Sequence, residues 1–301
     1  MISICIPIYN FDITNLIGEV SKQAKLCDSP VELVLIDDYS DDEFKEINDS
    51  VCKEHKYIEL NKNIGRSKIR NLFLDYVSYD CLLFLDCDSL IVSDSFIEDY
   101  ISAYNTSNAQ VICGGRVYER TAPSRSQRLS WVYGVKRESK SYTERQQQPY
   151  SSFMTNNFLV HAEVLKELPF DECLSKYGHE DTLFGFYLQQ NSKTILHINN
   201  AILNGDVENN EEYLNKTNLA IENLVLILSK LEDKKGFIDS VGLLSFYRKL
   251  KKYKILYLAL FLAPIINTSF LLKLKLGVVN LTLFNYYKLT YLSKVLNKKK
   301  S

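Results

Sequence analysis

Short apolar runs alternate in this chain with stretches whose apolar residues recur at helical spacing. Ile2-Ser3-Ile4-Cys5-Ile6-Pro7-Ile8 reads as a buried strand ending in Tyr9-Asn10, and Pro7, which lacks an amide hydrogen, belongs at a strand end or edge. Apolar residues then recur with helical period over 13–26, with Asp12 as a cap. Residues 31–36 form a second strand ending in Asp37 and Asp38, and a helix follows over 43–53. A short strand over 57–60 and a helix over 66–76 lead to the unbroken run Cys81-Leu82-Leu83-Phe84-Leu85. Beyond it, strands are expected over 109–113, 152–160 and 195–198. Helices are expected over 95–104, 162–167, 183–190 and 220–231. Strand and helix in alternation are the βαβ pattern of an α/β fold, a doubly wound, mostly parallel sheet flanked by helices. A helical extension follows at the C-terminus.

Charge changes this picture mainly at the tail. The formal charge of −1 hides an asymmetry, because residues 246–301 hold 12 Lys/Arg and no Asp/Glu. The first 245 residues carry 24 basic and 37 acidic groups. An acidic body with a basic, Leu-rich tail predicts contact with an anionic membrane surface. The tail's lysines are interleaved with Leu, Phe and Tyr in helical fashion instead of forming a dense basic block, so nucleic acid is not the expected partner. The longest apolar run, 255–266, is too short for a span and contains Pro264, so a peripheral association at the inner face of the cell membrane is expected. No basic leader precedes the first strand. Seven cysteines without paired spacing give neither a disulfide framework nor a zinc motif, which fits a cytoplasmic protein.

The candidate chemistry sits at the strand ends. Asp86 and Asp88 follow the third long apolar run, and alternation along an extended segment points both side chains the same way. Ligands of open α/β sheets bind beyond the carboxyl ends of the strands. Two carboxylates there suit a divalent metal carrying a phosphate; the plainer reading is a polar loop after a core strand. No G-x-G-x-x-G follows the first strand and no P-loop motif occurs, so a glycine cradle for phosphate is not expected. The polar stretch 121–150 carries Arg125, Arg128, Lys136, Arg137 and Arg145 and is expected to be an exposed lid or a contact for anionic substrate. Glu180 and Asp181 open a helix, where a carboxylate can simply cap it. His197 lies in a strand, where a lone histidine is more often structural than a ligand.

Taken together, Pro7-Ile8-Tyr9-Asn10, Asp37-Asp38-Tyr39-Ser40-Asp41, Asn63-Ile64-Gly65 with Arg70-Asn71, Asp86-Cys87-Asp88 and His179-Glu180-Asp181 resemble, in order and spacing, a family 2 glycosyltransferase of the GT-A fold. The resemblance covers roughly residues 1–205. It implies a catalytic domain over 1–205, with a nucleotide-binding half (1–115) and an acceptor half (116–205), and a separate helical region over 206–301. It implies that Pro7, Tyr9 and Asp37 line the nucleoside site and that Arg70 helps hold the nucleotide. Asp86 would contact ribose or metal-bound water, Asp88 would ligate Mn²⁺ or Mg²⁺, and Asn157 would contact donor sugar or acceptor. Asp181 would be the general base, with Glu180 orienting substrate. The donor implied is a nucleotide sugar, a UDP-sugar first. The acceptor is a saccharide or lipid-linked saccharide, as in bacterial relatives that build surface glycans, and the reaction proceeds with inversion. One departure stands out: where many relatives carry a late metal-binding histidine, this chain has Asn204. His197 substitutes for it, Asn204 coordinates, or the metal is held by Asp88 and diphosphate alone. A nucleotide-sugar-binding module without turnover and a sugar-nucleotidyl transferase are the competing classes. The latter begins with a Gly-rich, Arg-containing loop that is absent here.

Overall fold

The computed structural model describes residues 1–174 and 176–298. In chain order the elements begin β1 (Ile2–Ile8), α1 (Thr14–Ala24), β2 (Val31–Asp37), α2 (Asp42–Val51), β3 (Lys56–Glu59), α3 (Arg66–Leu72) and β4 (Cys81–Leu85). They continue with β5 (Ser89–Leu90), α4 (Phe96–Thr106), β6 (Val111–Cys113), β7 (Arg116–Val117), α5 (Arg128–Tyr133), α6 (Tyr142–Gln147), β8 (Asn157–His161) and α7 (Ala162–Glu167). The chain then forms α8 (Glu180–Gln190), β9 (Ile195–His197), β10 (Ile202–Asn204), α9 (Asn210–Lys230), α10 (Lys234–Ser240), α11 (Gly242–Lys252), α12 (Leu256–Lys275) and α13 (Leu281–Lys298).

Seven strands form one sheet in the order β3-β2-β1-β4-β8-β6-β9. β8 runs antiparallel to both neighbours, and the other pairs are parallel. The chain passes from β1 outward through β2 to β3, then crosses back to place β4 on the other side of β1. That reversal is a topological switch point, and open α/β sheets bind their ligands beyond the carboxyl ends of the strands that flank one, here β1 and β4. Pro7 is tolerated there because the β1–β4 pairing ends at Cys5↔Phe84. One sheet face packs Ile4, Ile6, Leu35 and Leu83 against Leu16, Ile17 and Val20 of α1 and Phe96, Ile97 and Ile101 of α4. On the other, Phe84 stacks on Phe158 at 5.0 Å and meets Phe73 edge-on. Aromatic pairs of this kind add about 1 kcal/mol beyond their buried area. A small sheet, β5-β10-β7, places Asn204 opposite Ser89 and Ile202 opposite Arg116.

Two compact units result: Met1–Glu119, Glu138–Ser175 and Tyr187–Asp206 in one, and Arg120–Arg137, Lys176–Phe186 and Val207–Ser301 in the other. The last segment of the first unit ends at Asp206. However, the stretches around Arg128 and Glu180 join the C-terminal helices rather than the sheet. Leu129 of α5 explains the first case, since it is buried with Phe270, Leu274 and Phe284. Asn223 of α9 explains the second: its amide donates to the carbonyls of Lys176 (2.6 Å) and Gly178 (3.0 Å). The tail also differs from expectation. α12 continues through Pro264 for 20 residues and is long and apolar enough to cross a membrane. Proline deletes one helical hydrogen bond, but Pro264 lies on the exposed side, where solvent can take up the orphaned carbonyl.

Candidate active site

Beyond the strand ends at the switch point, the loops after β1 and β2 are hydrogen-bonded to each other. Asp38 N–H donates to Ile8 O (2.8 Å), and Asn10 N–H donates to Ser40 Oγ (2.9 Å). Asp41 N–H donates to Asn10 Oδ1 (2.8 Å). Asn10 and Tyr39 adopt φ of 48° and 70°, a left-handed geometry that costs an ordinary side chain about 1 kcal/mol or more. This arrangement leaves Tyr9 and Tyr39 each about half exposed at 53% and 52%. Lys45 Nζ lies over the Tyr39 ring at 4.9 Å; of the two rings only Tyr9 was expected at the site from sequence. Pro7, near the end of β1, is half-buried.

The Asp86-Cys87-Asp88 turn is closed by Ser89 N–H donating to Asp86 O (3.1 Å) and tied to β10 by Gly205 N–H donating to Asp88 O (3.0 Å). Arg70 from α3 donates through Nη2 to Asp86 Oδ1 at 2.9 Å and through Nη1 to Arg66 O at 3.2 Å. Its guanidinium lies over the Phe170 ring at 5.8 Å. Burial, and then the Asp86 carboxylate beside it, push the Asp88 carboxyl up to about 6; Arg116 and Arg66 pull the other way. A cation would relieve exactly that strain of two crowded carboxylates, so Asp86 and Asp88 fit a divalent metal. The protein offers it little else. Asn204 Oδ1 accepts from Arg116 Nη2, and among the described residues no group of three or more His, Cys, Asp or Glu is placed to hold a metal.

Four of the expected contact residues are buried. Asp37 is fully buried, with Oδ1 accepting from Ser40 N–H (2.6 Å) and Oδ2 from the Tyr57 hydroxyl (3.3 Å), so it shapes the loop instead of meeting a base. Arg70, 1% exposed, acts by holding Asp86. Asn157 is equally buried: Oδ1 accepts from the Tyr100 hydroxyl (2.7 Å), and Nδ2 donates to Gly115 O and Asn200 O, both at 2.9 Å. That bridge leaves no room for a side chain at Gly114, whose Cβ would come within 2.2 Å of Asn200 O. His197 has both ring nitrogens engaged, Nδ1 with Arg145 Nη1 (3.1 Å) and Nε2 with Pro149 O (3.0 Å). Burial holds it down to about 4, so the ring is neutral: Nε2–H donates and Nδ1 accepts. It is not placed to be a metal ligand. Arg145, expected on an exposed lid, is itself buried against Cys113 O, Gly114 O and Ile198 O.

Arg116 was not expected. It lies on β7, bonded to Asn204 and paired with Glu138 (3.5 Å); against the effect of burial, Tyr118 and Glu138, then Asp88 and Asp86, raise its pKa. The sequence signal was Gly114-Gly115 after β6, which marks a close approach of backbone without naming the arginine that follows.

Glu180 and Asp181 belong to the second unit. Gly178 and His179, with φ of 89° and 67°, turn the chain into α8. Gly178 is required twice over, because a Cβ there would also lie 2.6 Å from Ala220 Cβ. Glu180 is buried, and Asp181 Oδ1 accepts from Thr182 N–H at 2.6 Å.

Paired carboxylates beside the switch point of a mostly parallel sheet lie where open α/β folds bind their ligands. The family model for glycosyl transferase family 2 matches residues 3–168, and the chain belongs to that family, a family of glycosyltransferases. Its fold is GT-A. Similar solved structures include S. aureus TarS (TM-score 0.53, 20% identity, 83% of this chain and 43% of that one). A second is the mannosyltransferase PcManGT from Pyrobaculum calidifontis in complex with GDP-Man and Mn²⁺ (TM-score 0.54, 14% identity, 76% and 63%). A third is glucosyl-3-phosphoglycerate synthase from Mycobacterium tuberculosis in complex with Mn²⁺, UDP and glucosyl-3-phosphoglycerate (TM-score 0.54, 15% identity, 77% and 81%). The chain thus spans 43% of TarS and 63% of the mannosyltransferase. No curated protein matches it.

Proposed function

We propose that this chain transfers a sugar, with inversion, from a nucleotide-sugar donor to a saccharide or lipid-linked saccharide acceptor in surface polysaccharide synthesis. The donor class is a UDP-sugar. The observation that carries the reading is the Asp86/Asp88 pair at the end of β4, where Asp88 is pushed up to about 6 by burial and by its neighbour. Tyr9 and the face of Tyr39 away from Lys45 would take the nucleobase, with Pro7 lining the same site. Asp88 and Asp86 would hold a divalent cation, Mn²⁺ or Mg²⁺, and with only two protein carboxylates the remaining positions fall to diphosphate and water. When bound, such a cation neutralises charge on the departing diphosphate. Arg70 keeps Asp86 from turning away, and Arg116 adds a fixed positive charge beside the same site. Asp181 takes the proton from the acceptor hydroxyl, which is too weak an acid to react at neutral pH without a positioned base. Glu180 orients the acceptor. Seven unpaired cysteines suit a reducing, cytoplasmic location.

A thermal-shift screen of nucleotide sugars with Mn²⁺ identifies the donor, and release of the nucleoside diphosphate measures turnover. Asp181→Asn is expected to abolish transfer, at least about a hundredfold, while donor affinity stays within about twofold. Retained transfer removes Asp181 as the base. Failure of every nucleotide sugar to bind removes the whole reading.

A further inference from the structure

α12 has two unlike faces. Leu256, Phe270 and Leu274 are buried, and this side is fastened to α13, with Asn267 Nδ2 donating to Thr290 Oγ1 (2.9 Å) and the Tyr286 hydroxyl donating to Ala259 O. The opposite side carries Tyr257, Leu258, Phe261, Ile265, Leu272 and Leu276, each more than half exposed and Phe261 at 80%. A shallow groove of about 670 Å³ runs along it, from Pro264 to Leu276. Monomeric soluble proteins rarely leave so continuous an apolar stripe in water. The stripe is bracketed by exposed lysines: Lys249, Lys251, Lys252 and Lys254 before it, and Lys273 and Lys275 at its end. No acidic residue occurs from Phe246 onward.

We infer that α12 lies in the plane of an anionic lipid bilayer, its outer face in the headgroup–acyl boundary and its flanking lysines on the phosphates. The charge pattern selects this occupant. A second copy of the chain docking face to face would set one lysine-bracketed stripe against another, and like charges so placed repel. A lipid surface supplies both what the stripe lacks, apolar cover, and what the lysines lack, negative charge. In-plane placement follows from α13. Although α12 is long enough to span, its inner face is held by α13, so insertion across the bilayer would strip that packing or drag Lys288 and Lys294 into the hydrocarbon. The inference stands apart from the transferase reading, since it needs neither donor nor base, but it would bring a lipid-linked acceptor and the enzyme to one surface.

The test is co-sedimentation of the full chain with vesicles of phosphatidylcholine alone or mixed equally with phosphatidylglycerol. Binding is expected only to the mixed vesicles. It should fall at least about tenfold in about 1 M salt, where the screening length shrinks to about 3 Å. The double variant Phe261→Asp/Ile265→Asp should lose at least about tenfold in bound fraction. Both residues are exposed, so its melting temperature and nucleotide binding should match wild type. Equal binding by the variant, or equal binding to neutral vesicles, overturns the inference. So does an oligomer in sedimentation velocity that the variant disperses, which would make the stripe a contact between copies. Resistance to extraction from cell membranes by alkaline carbonate would also overturn it, in favour of a span.

Discussion

Asn157 separates the structural account of this site from the sequence account most sharply. From sequence it was a donor-sugar or acceptor contact. In the fold it is a buried bracket, accepting from the Tyr100 hydroxyl and donating to Gly115 O and Asn200 O. Asn157→Leu keeps the approximate volume and removes all three bonds. Asn200 O loses this donor, Gly115 O keeps Ile202 N–H (3.2 Å), and the tyrosine hydroxyl keeps only the longer bond to Asn157 O at 3.3 Å. A buried polar group left unpaired costs about 1–3 kcal/mol, and the two weakened ones add about 1 kcal/mol together. With some return from the added apolar surface, the net loss is about 2–3 kcal/mol. For a unit of this size that lowers the melting temperature by about 5–10 °C. Thermal and urea unfolding of wild type and variant measure the loss, with donor affinity by calorimetry at a temperature where both are folded. The reasoning predicts a large stability loss and donor affinity within about threefold. A variant that melts within about 2 °C of wild type but no longer turns over would refute it and restore Asn157 to the substrate.

Two further outcomes follow from the same geometry. Asp88→Ala should weaken UDP binding at least about tenfold and make it insensitive to EDTA; wild-type binding that EDTA leaves unchanged would remove the metal from the site. Burial holds His197 and His179 down to about 4, against about 6.5 when unfolded. Their stabilisation is therefore complete above about pH 6.5 and is lost as pH falls toward 4, because the unfolded chain takes up the protons first. Urea midpoints should drop between about pH 7 and pH 5, less steeply in His197→Gln. Asp88, pushed up to about 6, works the other way as pH falls, so the deciding comparison is between slopes: equal slopes in wild type and His197→Gln contradict the burial of that ring.

Much of the first unit is legible in the chain because its causes are local. Ile2–Ile8, Val31–Asp37 and Cys81–Leu85 are apolar runs of strand length, and the helices between them carry the right period, so the sheet and its carboxylate-tipped edge follow from patterning alone. Where the period blurs, the elements shift. The helix expected over 66–76 ends at Leu72 and finishes as a 3₁₀ turn, and the strand expected from 152 begins only at Asn157.

Sequence by itself determined the family, the mostly parallel α/β class and the Asp86/Asp88 turn, because each is written in contiguous residues whose periodicity and chemistry need no distant partner; the strand order that makes a switch point beside β1 came from the fold. Tertiary structure decided which polar residues remain for a ligand. Asp37, Arg70, Asn157 and His197 look like Asp86 and Asp88 in the chain: polar groups at strand ends or on the helices beside them. Their hydrogen-bonding capacity is spent on Ser40, Asp86, Gly115 and Pro149, residues 3, 16, 42 and 48 positions away. A buried polar group must be satisfied by whatever the fold brings to it, and one sequence does not say what that will be. The same holds for Arg116, which reaches the carboxylates only because β7 pairs with β10. It holds also for α12, whose Leu, Phe and Ile residues sort into a packed face and a bare one only once α13 lies against it.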